Sequence, residues 1–130
     1  MDTVKLARIW AVNDSVPEIT LHSERLLIAM VAHGTTSSRL TYGANAVVQE
    51  ASKLLHKCTG NPLVAFGSFA GNPEPELETQ LKHNYLRGTD RGFQEVEIGA
   101  VWSTVEECRK IKENLPPGFV PKWVVIVTDE

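Results

Sequence analysis

The most constraining feature of the sequence is an unbroken apolar run, Leu26 to Ala32, which is followed closely by a glycine and four hydroxyl residues. The run is about one strand long and does not alternate between apolar and polar positions, which is typical of a strand covered on both faces of a sheet. Gly34 and positions 35–38 then supply a turn, and a helical pattern follows. This order predicts a central parallel strand whose carboxyl end opens a ligand-facing loop.

The rest of the sequence repeats the order of strand, turn and helix. Further apolar strands are predicted at 63–66, 96–101 and 123–127. A helix of about four turns is predicted between Ala44 and Leu55, because its apolar residues follow the i, i+3, i+4, i+7 spacing.

Two more helices complete the pattern. One is predicted to begin between Asn72 and Pro75 and to end at Gly88. Its buried stripe is predicted to be Leu77, Leu81 and either Tyr85 or Leu86. The other begins with the capping-box pattern of Ser103 and Glu106, in which each side chain satisfies a backbone amide of the first turn. Its inward stripe is predicted to be Val105, Cys108, Ile111 and Leu115.

The amino-terminal segment, residues 1–24, is predicted to be a packing helix followed by a turn. Asp2 or Thr3 caps this helix, and Leu6, Ile9 and Trp10 share one of its faces. The turn at 13–17 ends it, so we expect the helix to lie over the sheet.

Together these elements predict a single domain, 1–130, of the α/β class. The alternation of strand and helix is typical of a three-layer Rossmann-like sandwich with a mostly parallel sheet of four or five strands and right-handed crossovers.

Composition narrows the classes of partner. The net charge of −3 and the scattered lysines and arginines predict no nucleic-acid binding. No apolar run approaches the roughly 20 residues needed to cross a bilayer, and the first residues do not resemble a signal peptide, so we expect no membrane partner and a cytoplasmic location. Cys58 and Cys108 lie far apart without metal-type spacing, which favours reduced thiols over a bridge.

The candidate binding residues come from the loops at the carboxyl ends of the strands, where parallel sheets bind ligands. They are small residues, hydroxyls, one arginine and a carboxylate: Gly34, Thr35, Arg39, Gly67, Ser68, Ser103, Thr104 and Glu106. Backbone amides and helix amino termini of this kind suit an anionic or nucleotide-like ligand. Arg39 is the most informative residue, because a cation at a helix start is unfavourable unless an anion lies nearby. An acidic neighbour such as Glu78 would satisfy it equally well.

Other interpretations stay open at this point. His33 fits an ordinary strand-end histidine, and Ser103 with Glu106 fits a helix cap alone. The sequence lacks the dinucleotide, P-loop and hydrolase signatures. The histidines have no metal-ligand spacing with one another, so no metal and no particular cofactor is predicted. His33 at a strand end also suggests a tetrapyrrole metal chelatase-like enzyme. A further alternative is a non-enzymatic, homo-oligomeric binding module.

The order of turns resembles the YdcF/SanA/ElyC-like family, a bacterial group of largely unassigned biochemical function. The resemblance spans most of the chain, although each motif is short. The matching stretches are Leu27 to Gly34, Arg39 with Ala44 and Ala46, Phe66 to Ser68, Glu78-Thr79, Thr104 to Glu107, and Val125 to Thr128. The family pattern continues with a His-x-x-Arg-Ala helix that has no counterpart here, so we expect an uncovered edge or face and a homodimer.

The resemblance implies a Rossmann-like fold with a pocket at the strand ends, formed by Gly34, Arg39, Gly67, Ser68, Glu78, Thr104 and Glu106. It also implies phosphate-bearing or nucleotide-like ligands, and the fold would accept an adenosyl compound such as S-adenosylmethionine. We therefore expect a small cytoplasmic domain that binds a nucleotide-like or phosphorylated small molecule.

Overall fold

The structure, a computed structural model, describes residues 5–10, 22, 24–36, 38–88 and 92–128. It is an α/β fold with a five-stranded parallel sheet in the order β1-β7-β2-β5-β6. A short antiparallel hairpin, β3-β4, follows β2. The strands are β1 (Lys5–Trp10), β2 (Leu26–Met30), β3 (Thr35–Thr36), β4 (Arg39–Leu40), β5 (Leu63–Phe69), β6 (Gln94–Val101) and β7 (Trp123–Thr128). The helices are α1 (Tyr42–Lys57), α2 (Pro75–Arg87) and α3 (Thr104–Asn114).

The helices cover the sheet from both sides, which gives the three layers of a Rossmann-like sandwich. The first apolar core joins α1 and the end of α2 to one face of the strands, with Leu55, Phe66 and Leu86 fully buried in it. The second core joins α3 to the other face through Ile111. Burying each large apolar side chain contributes roughly 1.5–3 kcal/mol.

The strand order places a topological switch point beside β2. The chain moves from β2 outward to β5 and β6, then returns to place β7 on the other side of β2. In open parallel sheets, ligands bind in the crevice at such a point, outside the carboxyl ends of the strands. The loop after β2, which the sequence singled out, opens there.

A bulge interrupts the pairing of β5 with β6 near the same edge. Phe66 pairs with Glu97 and Ser68 with Ala100, so β6 contributes one extra residue. A Cβ at Gly67 would lie 2.4 Å from the carbonyl oxygen of Gly99. Only glycine at position 67 permits this approach.

The prediction of an amino-terminal helix was wrong for the residues that the structure describes. Lys5–Trp10 forms β1 and pairs in parallel with β7. Six residues cannot separate a helical from an extended pattern, and pairing with a strand outside the segment decides the outcome. The caps at Asp2 and Thr3 and the turn at 13–17 lie outside the described residues.

The inward faces of α2 and α3 also differ from the prediction. The buried stripe of α2 consists of Glu78, Lys82 and Leu86, not of Leu77, Leu81 and Tyr85. In α3, Val105 and Cys108 are exposed, whereas Glu107 and Ile111 are buried. Ile111 and Leu86, the second given as an alternative to Tyr85, are buried as predicted. Apolar spacing missed Glu78, Lys82 and Glu107 because it gives no reason for a charged side chain to face inward. Among the described residues, no helix combines the length and apolar content needed to span a bilayer.

Candidate functional site

The loop after β2 presents three successive backbone amides to carboxylates. Ala32 N–H donates to Glu107 Oε2 over 3.0 Å, His33 N–H to Glu78 Oε2 over 2.8 Å, and Gly34 N–H to Glu78 Oε1 over 2.9 Å. Gly34 permits this path because its φ of +91° lies in the left-handed region. Successive amides of this kind form an anion-binding concavity. The protein's own carboxylates fill it.

Glu78 links two loops and a buried cation. Its Oε1 also accepts the Phe69 amide over 2.8 Å, so it joins the ends of β2 and β5. Lys82 Nζ lies 2.9 Å from Glu78 Oε2 and donates to the Val31 carbonyl over 3.3 Å; both side chains are fully buried. Burial alone would raise the pKa of Glu78, but Lys82 and the backbone amides hold it below its ordinary value.

Glu107 approaches the same loop from the opposite face of the sheet. Burial raises the pKa of its carboxyl to about 7, against the lowering influence of the Ala32 amide and the Lys82 charge, while Glu78 raises it further. The carboxyl therefore changes its charge close to neutral pH, as groups at functional sites often do.

A pocket of about 160 Å³ lies beside Glu107, where the loops after β2, β5 and β6 meet. Its walls are Ala32, Phe69, Val101, Trp102, Ser103, Thr104 and Glu107. The rings of Phe69 and Trp102 meet edge to face at 6.1 Å, and the Trp102 side chain is 67% exposed. Glu107 also borders a wider, largely apolar cavity of about 560 Å³ between α3 and the strands β2 and β7.

The β3-β4 hairpin carries the predicted arginine. Thr36 pairs with Arg39, which is exposed and forms no ion pair with any residue that the structure describes. Asn72 Oδ1 accepts the Thr35 amide over 3.3 Å, while its buried Nδ2 finds no acceptor within the described ranges. The hairpin and the neighbouring Asn72 thus hold two donors for which the described part of the chain supplies no acceptor.

The structure brings only some of the predicted site residues together. Gly34 and Glu78 are directly bonded. Ser68 is buried, and its Oγ lies 2.6 Å from Thr79 Oγ1 and accepts the Thr79 amide, so it anchors the second turn of α2. Gly67 lies inside β5 at the bulge.

Of the remaining predicted residues, Thr35 and Arg39 lie in the β3-β4 hairpin, and the others lie at the start of α3. Ser103 Oγ caps α3 through the Glu106 amide, and Thr104 begins that helix beside the pocket. Glu106 lies 3.6 Å from Lys110 Nζ rather than near an arginine. Arg39 does not open α1 as predicted, because Thr41 caps that helix by accepting the Ala44 amide.

Sequence reasoning missed Lys82, Glu107, Asn72 and Trp102. The spacing of Glu78 and Lys82, i and i+4 on one helix, was a usable signal, since such residues share a face. Glu107 was hidden beside Glu106 in the first turn of α3, where acidic residues are common.

His33 takes part in this network through its backbone. Its amide donates to Glu78 and its carbonyl accepts the Thr41 hydroxyl over 3.2 Å. The chelatase-like interpretation stays a prediction.

No protein-family model matches the sequence, and no curated protein or solved structure shows significant similarity to the chain.

Proposed function

We propose that the domain binds a nucleotide-like or phosphorylated small molecule at the carboxyl ends of its strands. The observation that carries this proposal is the pocket in which Trp102 and Phe69 face the buried carboxyl of Glu107. Apolar walls with a few convergent polar groups and a titratable residue of shifted pKa are typical of small-molecule sites. The position at the strand ends agrees with where parallel sheets bind ligands.

The aromatic walls suit a planar ring. Trp102 is largely exposed although it lines the pocket where the three loops meet. Stacking on a base would cover the exposed apolar surface of its indole. The Glu107 carboxyl can accept a hydrogen bond from a hydroxyl or amino group when it is charged, and it can donate one when it is protonated. A base with an attached sugar offers both features.

The β3-β4 hairpin suits the anionic end of the ligand. Arg39 supplies a planar guanidinium that can bind a phosphate through two parallel hydrogen bonds. Asn72 Nδ2 is a buried donor without an acceptor among the described residues, and a phosphate oxygen is an acceptor of the kind it lacks. The amides of His33 and Gly34 do not take part, because Glu78 already occupies them.

The test is a calorimetric titration of the protein with ATP and, separately, with S-adenosylmethionine. We expect ATP to bind, and Trp102→Ala and Arg39→Ala each to weaken binding at least tenfold. Losing the Arg39 charge should affect ATP more than S-adenosylmethionine, which carries no phosphate. Matched controls are Tyr85→Ala and Arg87→Ala, which remove an exposed aromatic residue and an exposed arginine from the carboxyl-terminal end of α2.

Two results would overturn the proposal. The first is that neither ligand binds at millimolar concentration, and the second is that binding persists unchanged in both Trp102→Ala and Arg39→Ala.

Membership of the YdcF/SanA/ElyC-like family and a cytoplasmic location belong to the same proposal. The cytoplasmic location is supported by Cys58 and Cys108, which both lie within the described ranges and do not form a disulfide with each other.

A further inference from the structure

We infer that His83, Glu95 and Glu97 form a binding site for a divalent metal ion between α2 and β6. One imidazole nitrogen and two carboxylate oxygens, one from each residue, all lie within 4.8 Å of one another. This donor set is separate from the Glu78, Lys82 and Glu107 network, and the inference does not depend on the proposed function.

Two of the three ligands come together because alternate residues of a strand share one face of the sheet. Glu95 and Glu97 are i and i+2 on β6, so both point to the same face of the sheet. Val96 and Ile98 point to the other face and are buried in the core under α3. The side of β6 that faces α2 therefore carries carboxylates where a packed helix usually meets apolar residues. His83 of α2 lies over them.

The local charges favour a cation. Glu95 contacts the His83 imidazole, with Nδ1 at 2.5 Å from Oε1 and 2.6 Å from Oε2. Glu97 forms no hydrogen bond or ion pair with any other residue in the described ranges. Two carboxylates side by side on one strand repel each other, and a bound divalent ion would remove that repulsion.

The chemistry of the donors indicates the class of metal. Imidazole nitrogen and carboxylate oxygen together suit Zn²⁺ and the neighbouring first-row ions, whereas Mg²⁺ prefers oxygen ligands alone. The ion would take the place of the proton between His83 and Glu95. Bonds of about 2.0–2.1 Å in a tetrahedral site put ligand atoms roughly 3.3 Å apart, so the two side chains must separate slightly. Both are partly exposed and free to do so.

A cavity of about 400 Å³ adjoins His83 and Glu97 and leaves room for further ligands. His83 and Glu97 form part of its wall, and Glu76, Thr79, Gln80 and Ser68 supply most of its polar remainder. Gly99 forms part of the wall without a side chain, and nothing lies within 4 Å of where a Cβ would be. Three protein ligands beside an open cavity are the arrangement of metal sites that keep a position for water or an anionic oxygen.

The test is a calorimetric titration of untagged, chelator-treated protein with Zn²⁺, Mn²⁺ and Mg²⁺. We expect one equivalent of Zn²⁺ to bind, Mn²⁺ to bind more weakly and Mg²⁺ to bind least. Glu97→Gln and His83→Gln should each weaken Zn²⁺ binding at least tenfold. Glu76→Gln is the matched control, because it removes a carboxylate from the same cavity that is not one of the three ligands, and it should leave the affinity unchanged.

Thermal unfolding supplies a second readout. A ligand that binds only the native state raises the midpoint, so Zn²⁺ should stabilise the wild type and the Glu76→Gln variant but not Glu97→Gln. The inference is overturned if Zn²⁺ does not bind at millimolar concentration, or if it binds equally well to Glu97→Gln and His83→Gln. Because Arg39 and Trp102 are absent from this site, their variants should bind Zn²⁺ as the wild type does.

Discussion

At the scale of single residues, the notable feature is a set of buried charges where the sequence suggested a ligand. Glu78 and Lys82 are both inaccessible to solvent and bonded to each other. A buried ion pair adds little net stability compared with an apolar pair of the same size, yet removing one partner leaves an uncompensated charge. The pair therefore fixes the geometry of the loops more than it stabilises the core.

The first prediction concerns this pair. Lys82→Met should destabilise the protein by about 3–5 kcal/mol, because it leaves the Glu78 carboxylate buried without its cation. The measurement is urea unfolding followed by circular dichroism. Lys53→Met is the control: Lys53 lies 3.8 Å from Glu50 on the surface of α1, with its side chain 71% exposed, and should lose less than about 1 kcal/mol.

A double variant separates the pair from its surroundings. Glu78→Gln combined with Lys82→Met removes both charges, so the loss should be smaller than the sum of the single losses. Additive losses would mean that the two side chains do not stabilise each other, contrary to their 2.9 Å separation.

At the scale of elements, α2 and α3 each turn a face inward that mixes charged and apolar side chains, rather than a purely apolar stripe. Glu107 and Ile111 lie one turn apart on α3, and Glu107 must face inward to reach the Ala32 amide. This contact rotates the helix so that Val105 is 81% exposed.

The second prediction tests that rotation. Ile111→Ala should cost about 2–5 kcal/mol, because it leaves a cavity in the core between α3 and the sheet. Val105→Ala should change the stability by less than about 0.5 kcal/mol, as substitutions at exposed positions do. The sequence pattern alone predicts similar losses for both variants. Denaturant unfolding of the two therefore shows whether α3 packs through its predicted apolar stripe or through the face seen in the structure.

The third prediction concerns β1. If Lys5–Trp10 is a strand, its backbone ¹³C chemical shifts are those of extended chain, and amides bonded to β7 exchange slowly with solvent. Helical chemical shifts over these residues would contradict the strand and support the amino-terminal helix that the sequence predicted. The β3-β4 hairpin, which lies outside the five-stranded sheet and pairs only two residues of each strand, is expected to exchange faster and serves as an internal reference.

At the scale of the whole molecule, the loop after β2 is held from both faces of the sheet. Glu78 comes from α2 on one side and Glu107 from α3 on the other, so three adjacent amides tie the two layers together at the switch point. The stability of the whole fold should therefore depend on the charge of these two carboxyls.

The homodimer suggested by the sequence stays a prediction.

The fourth prediction is the resulting pH dependence. The pKa of Glu107 rises from 4.5 in the unfolded chain to about 7 in the native state, so between these values the native state holds more protons. Stability should then fall as the pH rises from about 4.5 to 7, by up to about 3 kcal/mol. The lowered pKa of Glu78 acts in the opposite sense, since its contribution is lost as the pH falls below 4.5.

Thermal unfolding between pH 3 and pH 9 measures both limbs of this curve. We expect greatest stability in mildly acidic solution. Glu107→Gln keeps an acceptor for the Ala32 amide but cannot be charged, so the decline between about pH 5 and pH 7 should disappear. An unchanged decline in this variant would assign the effect to other groups.

The sequence by itself determined the fold class, since the buried runs at Leu26–Met30 and Leu63–Phe66 and the apolar stripe of α1 allow few arrangements besides a covered parallel sheet. It also determined the Ser103 cap of α3, because Ser103 acts on an amide three residues away. These features depend on neighbours along the chain, which the sequence displays directly.

Only the tertiary structure decided the rest. Whether Lys5–Trp10 is a strand depends on β7, more than a hundred residues away. Whether the amides after β2 are open to a ligand depends on Glu78 and Glu107, which reach them from two other helices. A buried charge gains its place through partners brought together by folding, and no local period reveals those partners.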